Sequence, residues 1–382
     1  MKALRVMLVS EGYGKLFFGV SQVLIRLASR CRMNGHAYRI LVVKAEAVPA
    51  VDSPYVTEIP TMPASRNLRW HPAQLSFLFR EVTNFLPDIV HIHGVMTFVQ
   101  QAAVAAAIRA GVPVILSSHG MLNPGYWGSK PTLKHVLKRF FWVHLLQPQL
   151  SKVDYVHVIT EQESEILTKE FPGVKQIRIS NAIDLTDYSS EQVVPEGRYM
   201  LFLGRLHPIK GLHLLIQAFA RFEQSDFRLV VAGPDVDSAY TAQLHAMVKS
   251  LGLSERVQFI GGVYGEDKAD LLRNAWCSVV PSYSEVVALV NLESAASFTP
   301  SITTTMTGLG DWQEGGGLLI EPELEVLCEA IKEVGCWSLD ERMEAGRKSR
   351  EFVKRKYSWD VIGEQWMDAY RIIAESGKRK HG

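Results

Sequence analysis

Short apolar runs recur along the chain, each closing on Gly, Ser, His or Asp and giving way to a segment whose apolar residues keep a helical spacing. That alternation is the rhythm of parallel βα units, in which a strand is buried on both faces and a helix on one. In the first half it predicts strands at Leu4–Val9, Tyr38–Val43, Asp88–His91, Val112–Leu116 and Tyr155–Ile159. The second half restarts it at Tyr199–Leu203, Arg228–Ala232, Val257–Phe259 and Cys277–Val280, with a weaker run at Ser301–Thr304. Between the halves, Asp187–Gly197 is polar and holds Ser189, Ser190 and Pro195. The fold class is therefore α/β, with two doubly wound, Rossmann-like domains joined near residue 190. A chain of 382 residues suits two such cores better than one. Ligands of these folds sit beyond the carboxyl ends of the strands.

Composition excludes several classes. With 47% hydrophobic and 21% charged residues and no low-complexity tract, the chain reads as folded and soluble. The apolar opening, Met1 to Ser10, stops at Glu11-Gly12 without a small-residue cleavage site, so it reads as a first strand and not as a signal segment. No apolar run approaches the roughly eighteen residues of a membrane span. Cys31, Cys277, Cys328 and Cys336 lack metal-like spacing and make no disulfide framework. The expected location is the cytoplasm. The net charge of +1 hides an asymmetry: residues 1–190 hold 20 Lys/Arg against 13 Asp/Glu, and residues 191–382 hold 21 against 27. A basic half suggests an anionic partner or surface for that half, with ordinary surface variation as the alternative. Nothing points to nucleic acid.

Candidate chemistry lies just after the strands. The first loop, Glu11-Gly12-Tyr13-Gly14 with Phe18-Gly19, has glycines that let backbone amides approach an anion at a helix start, or that simply turn the chain. Two strands end in His-Gly, at His93-Gly94 and His119-Gly120, and a polar ring there is poorly explained by packing alone. Gly204-Arg205 with Lys210-Gly211 brings a forked cation and a point charge into one turn, the chemistry of a diphosphate clamp. Glu285 follows the strand Cys277–Val280, and Glu293 falls eight positions later, about two turns along the next helix. These carboxylates suit sugar hydroxyls and a ribose diol, or a helix start and a surface salt bridge.

In order and spacing these residues resemble the retaining glycosyltransferases of the GT-B fold, family 4, over nearly the whole chain. The resemblance rests on His119-Gly120, Ser180-Asn181-Ala182-Ile183-Asp184, Gly204-Arg205 with Lys210-Gly211, Glu285 with Glu293, and Tyr357-Ser358-Trp359-Asp360. It implies an acceptor-binding domain at 1–190, a nucleotide-sugar-binding domain at 191–356, and a helix from 357 to 382 crossing back to the first domain. It further implies that Arg205 and Lys210 hold the donor's diphosphate, Glu293 the ribose and Glu285 the transferred sugar. His119 would stand by the bond being broken, and Gly19 would let the first domain approach the phosphates. Gly204, Gly262, Val263, Val287, Ala288 and Leu289 would complete the donor site. The donor would be a UDP- or GDP-linked sugar, with no cofactor and no metal. Three positions depart from the family pattern: Val286-Val287-Ala288 after Glu285 where Gly-Phe-Gly is frequent, Phe18 where a second Gly is frequent, and Ala182 for Gly.

A clamp of Arg205 and Lys210 would stabilise the leaving diphosphate in place of a divalent cation. Two rivals share the fold: a sugar-nucleotide 2-epimerase, and a sugar-nucleotide-binding protein with weak turnover. The stretch from Lys130 to Leu146 sets Lys130, Lys134, Lys138 and Arg139 beside Leu133, Phe140, Phe141 and Val143. Such a basic amphipathic segment suits the face of an anionic membrane, or a helix packed on the first sheet. With the family's frequent use of lipid-linked acceptors, this predicts a glycan or lipid-linked glycan acceptor reached at the inner face of the cell membrane.

Overall fold

The computed structural model describes residues 2–14, 19–62, 70–95, 97–121 and 147–378. They form two compact units, one of Met1–Ser180 with Ile362–Gly382, the other of Asn181–Val361.

The first unit is built on β1 (Arg5–Tyr13), β2 (Ala37–Ala45), β3 (Val56–Glu58), β4 (Ile89–His93), β5 (Val114–Ser117), β6 (Tyr155–Val158) and β7 (Gln176–Arg178). They pair in parallel in the order β3-β2-β1-β4-β5-β6-β7. The order reverses between β1 and β4, the switch point where loops diverge and a crevice opens. Helices α1 (Val20–Met33), α2 (Gln74–Phe85), α3 (Phe98–Arg109) and α4 (Glu161–Glu170) belong to the connections. Strand β1 runs three residues past the expected turn, because Glu11–Tyr13 continue pairing with β2 through Gly12↔Lys44 and Tyr13↔Ala45. The chain leaves the sheet at Gly14, where φ is +127° and a Cβ would lie 1.7 Å from the Glu46 carbonyl oxygen, a place only glycine fits.

The second unit repeats the plan with β8 (Tyr199–Leu203), β9 (Arg228–Ala232), β10 (Val257–Gly261), β11 (Cys277–Val280), β12 (Ser301–Thr304) and β13 (Leu318–Ile320), ordered β10-β9-β8-β11-β12-β13. Its helices are α5 (Leu212–Ala220), α6 (Ser238–Ser250), α7 (Gly265–Arg273), α8 (Leu289–Ala296), α9 (Leu324–Gly335) and α10 (Leu339–Lys356). On α9, Leu327, Ala330, Ile331 and Val334 keep the i, i+3, i+4, i+7 spacing and are buried in the core with Leu215 and Phe219 of α5. The Arg342 guanidinium is fully buried and has no carboxylate partner among the described residues; it donates to the carbonyls of Ala275, Trp276 and Phe298, just ahead of β11 and β12. Burial pushes its pKa down to about 10. It thus fixes the strand ends opposite to those from which the site loops emerge.

The division between units falls at Ser180, ahead of the polar stretch 187–197. Ile183 explains this: its N–H donates to the Tyr357 carbonyl at 2.8 Å and its own carbonyl accepts from Trp359 N–H at 3.0 Å, so the chain from Asn181 onward is bound to the second unit. The last helix, α11 (Trp359–Lys378), passes to the first unit from Ile362. There Trp366 and Tyr370 are buried, and a Cβ on Gly363 would come within 2.8 Å of the Arg30 side chain on α1. Among the described residues no helix is long and apolar enough to cross a membrane. Lys130, Lys134, Lys138 and Arg139 lie outside the described residues.

Candidate functional site

In the second unit, the loops after β8 and β11 are stitched together by their backbones. Tyr283 N–H donates to the Ile209 carbonyl at 2.8 Å, and a Cβ on Gly211 (φ +70°) would lie 2.0 Å from the Pro281 carbonyl oxygen. Glycine at 211 therefore lets Pro208–Lys210, a single tight turn capped by the His207 ring, press against the segment after β11. That approach pairs the Lys210 ammonium with the Glu285 carboxylate, which also accepts from Ser282 Oγ at 3.1 Å. Arg205 is exposed, and its guanidinium meets no carboxylate among the described residues. Gly204 ends β8 with its N–H on the Ala232 carbonyl, and a Cβ on Gly233 would stand 1.8 Å from the Gly204 oxygen. Gly233 is thus a second obligatory glycine of this edge, one that sequence reasoning passed over.

Residues 285–288 are not helical. Glu285 N–H donates to the Met306 carbonyl and Ala288 N–H to that of Thr307, holding the segment extended, so α8 begins only at Leu289. Glu293 consequently stands about one turn into the helix instead of two. Its carboxylate meets Lys268 of α7 at 2.8 Å, with the two side chains 17% and 27% exposed, a half-buried pair and not a solvated surface bridge. The side chains of Val287 and Ala288 are buried, whereas Leu289 is exposed. Gly262, whose Cβ would touch the Tyr264 ring, and Val263, packed beside Leu201 and Val230, follow β10 on the same sheet edge. Lys268 carried no signal in the sequence, since its partner is 25 residues away on another helix.

The first unit presents a different chemistry. Gly19 precedes α1 with φ +68° and open space where a Cβ would be. His119 and Gly120 both adopt positive φ, +49° and +81°, in the turn after β5. Glu163 braces that turn: its carboxylate accepts from Ser118 Oγ at 3.4 Å and from Ile159 N–H at 2.8 Å. Burial raises the Glu163 pKa against those hydrogen bonds. His119 Nε2 lies 2.9 Å from His93 Nδ1, so the two His-Gly strand ends converge. Burial holds His119 at about 3, and His93 and His91 well below the usual imidazole range.

Behind them runs a buried relay that spacing did not reveal. His157 Nε2 faces the Ile179 carbonyl at 2.8 Å, so it carries the proton and Nδ1 must accept from Ser117 Oγ at 2.8 Å. Ser117 in turn accepts from His91 Nε2 at 2.7 Å, and His91 Nδ1 accepts from Tyr370 O–H at 2.7 Å. Each group donates once along the line, joining α11, β4, β5, β6 and the end of β7. The available hint was a His or Ser recurring inside otherwise apolar strands. Among the described residues no group of three or more His, Cys, Asp or Glu is arranged to hold a metal ion.

Two family descriptions cover the chain: Glycosyltransferase Family 4 over residues 18–187, and Glycosyl transferases group 1 over residues 186–350. An uncharacterized glycosyltransferase, MJ1607, of Methanocaldococcus jannaschii is 29% identical over 188 residues, spanning 48% of this chain and 47% of that protein. A glycogen synthase of Mycobacterium tuberculosis is 26% identical over 310 residues, 77% of this chain and 70% of its own length. The crystal structure of WaaG, a glycosyltransferase involved in lipopolysaccharide biosynthesis, superposes with a TM-score of 0.70 at 18% identity over 96% of this chain and 99% of WaaG. With two parallel Rossmann-like sheets of the GT-B kind, one under each description, the chain belongs to the glycosyltransferases.

Proposed function

We propose that the chain is a retaining, metal-independent hexosyltransferase that takes its sugar from a UDP- or GDP-linked donor. One observation carries the reading: Arg205, which meets no carboxylate among the described residues, and Lys210 share the carboxyl edge of the second sheet with Glu285 and Glu293. Departure of a nucleoside diphosphate builds negative charge on phosphate oxygens while positive charge grows at the anomeric carbon. Preorganised cations at the first and hydroxyl-gripping carboxylates near the second lower that barrier. In the resting protein Lys210 and Lys268 neutralise the two carboxylates; on donor binding Lys210 turns to the diphosphate, and Glu285 and Glu293 take the hydroxyls of sugar and ribose. His119 is kept neutral at physiological pH by burial. Retention without a protein nucleophile favours front-side attack, with the departing phosphate accepting the acceptor's proton.

The test is release of UDP or GDP from labelled nucleotide sugars that depends on added acceptor, with the anomeric configuration of the product read by NMR. Absence of release with every nucleoside diphosphate hexose sinks the reading, and a donor epimerised without acceptor selects the epimerase. For the acceptor we favour a lipid-linked glycan, a precursor of cell-surface polysaccharide or O-antigen, met at the cytoplasmic face of the membrane. The basic, aromatic stretch 130–146 and the charge of the first half support this. The protein should then sediment with liposomes of acidic lipid at low salt, less at high salt, and Lys134→Glu with Lys138→Glu should release it without changing donor affinity. Salt-insensitive absence from the pellet leaves a soluble acceptor as the better choice.

A further inference from the structure

His213 opens α5 two residues beyond Gly211, and its ring joins two tyrosines that the proposed transfer chemistry does not use. Nδ1 lies 2.8 Å from Tyr240 Oη on α6, and Nε2 lies 3.3 Å from Tyr283 Oη in the loop after β11. The His213 backbone N–H donates to the same Tyr240 oxygen at 3.3 Å. Burial lowers the His213 pKa, so the ring is neutral at neutral pH and carries one proton. Two arrangements are open. With the proton on Nδ1, Tyr240 Oη accepts from both the ring and the backbone of His213, and its own hydrogen meets no acceptor among the described residues, although Tyr240 is only 7% exposed. That arrangement strands a buried hydroxyl. With the proton on Nε2, Tyr240 O–H donates to Nδ1, Nε2–H donates to Tyr283 Oη, and the Tyr283 hydrogen is left on a half-buried side chain that water can reach. An unpaired buried donor costs more than a hydrogen bond returns, so the second arrangement prevails.

We infer that His213 is a positioning residue for Glu285, holding through the Tyr283 hydroxyl the loop that carries that carboxylate. Three ties join the segment around Lys210 to that loop, and they differ in kind. Gly211 packs against the Pro281 carbonyl, and the Ile209 carbonyl accepts from Tyr283 N–H, so both of these grip backbone. The His213 bond grips a side chain, at the far end of a ring that stacks on the imidazole at 5.7 Å and 21°. Tyr283 stands two residues ahead of Glu285, whose own N–H is held by the Met306 carbonyl. With the backbone and the Tyr283 ring both fixed, the stretch between has little room to turn, and the Glu285 carboxylate keeps its place when Lys210 leaves it for the donor's phosphates. Tyr240 acts one step back: by donating to Nδ1 it forces the proton onto Nε2, where it faces Tyr283. The inference rests on the reading of Glu285 as the grip on the transferred sugar.

Two measurements need no substrate. In the full-length protein labelled with 15N at histidine, two-bond 1H–15N correlation spectra at neutral pH should show His213 protonated at Nε2, and protonation at Nδ1 overturns the inference. His213→Ala should speed amide exchange at Tyr283 and Glu285 about tenfold, the scale of one lost hydrogen bond, and unchanged rates overturn it as well. With UDP-glucose or GDP-mannose as donor, the same variant should lower kcat about tenfold while the Kd of UDP or GDP changes by less than about twofold, because Glu285 holds the sugar and not the diphosphate. His213→Gln, whose amide can donate from nearly the position of Nε2, should restore the exchange rates and most of the turnover. Adding Tyr283→Phe to His213→Ala should cost nothing further, since both remove one bond. Turnover unchanged in His213→Ala, or lost equally in His213→Gln despite restored exchange rates, removes the positioning role and leaves the transferase reading intact. If the wild type transfers from no nucleoside diphosphate hexose, that reading falls and the purpose assigned to His213 falls with it, whereas the tautomer and the exchange rates still decide the wiring.

Discussion

The carboxyl edges of the two sheets solve opposite problems. At the second, Lys210 pairs with Glu285 and Lys268 with Glu293, all four side chains only partly exposed, and in the proposed function the donor displaces these lysines. At the first, His91, His93, His119 and His157 are taken out of water and held neutral, each tied to a neighbour by a hydrogen bond. Charges exchangeable on binding belong where an anion comes and goes. Neutral rings packed out of water belong where geometry must be kept, and the line from Tyr370 through His91 and Ser117 to His157 stays rigid only while each member is satisfied. One edge is therefore expected to fail functionally when altered, and the other structurally.

The sharpest way to break this contrast is Lys210→Ala. Its loss should cut transfer on the order of 10²–10³-fold, the scale seen when one preorganised donor to a leaving oxyanion is removed. Thermal melting should stay near that of the wild type, since Ser282 still serves Glu285. A melting temperature that falls in step with activity would make the pair structural and erase the difference between the edges. Lowering the pH probes the other side. Burial holds the folded pKa of His157 at about 4 and of His119 at about 3, below the value of about 6.5 in an unfolded chain. As pH drops through that interval the unfolded state binds protons first, so the stability these rings contribute is complete above about pH 6.5 and is lost progressively toward pH 4. Hydrogen exchange at pH 5 against pH 7.5 should show the first unit loosening more than the second; equal loosening would remove the distinction.

A smaller effect is expected from Ser117→Ala, which strands the His91 Nε2–H and leaves the His157 lone pair bare. About 2–3 kcal/mol of stability should go, the cost of unpaired buried polar groups, with donor affinity nearly unchanged. Denaturant titration and calorimetry with UDP or GDP read the two separately. The smallest effect is none at all: EDTA should leave transfer intact if Arg205 and Lys210 supply the positive charge, and activity lost to chelation and restored by magnesium or manganese would place a metal where we place those cations.

Legibility in the sequence followed burial. Three strands of the second sheet, β8, β9 and β11, begin and end where the expected runs do, because a strand buried on both faces is mostly apolar, and β12 shares its expected bounds although Ser301, Thr303 and Thr304 are polar. The strands that escaped, Val56–Glu58, Gln176–Arg178 and Leu318–Ile320, are three-residue edges, half-buried and too short to carry a pattern. Glu285 and Glu293 stood out as carboxylates after the strand Cys277–Val280, though Glu293 sits one turn into its helix and not two, whereas Lys268 and Gly233 depend on contacts between separate loops and helices. The histidine relay closes on Tyr370, 279 residues from His91, a distance no local pattern spans.

That closure also bears on the order in which the protein assembles during synthesis. The second unit is one continuous stretch, Asn181–Val361, but the first needs Ile362 onward to finish it. Until Trp366 and Tyr370 leave the ribosome, His91 lacks its donor and the faces of β4 and β6 that these aromatics cover stand bare. The half made first is therefore the half completed last, contrary to the usual course in which amino-terminal domains settle before their successors. Interruption of translation between residues 361 and 370 would release a chain whose second unit is whole and whose first remains open, exposing apolar surface to chaperones and proteases.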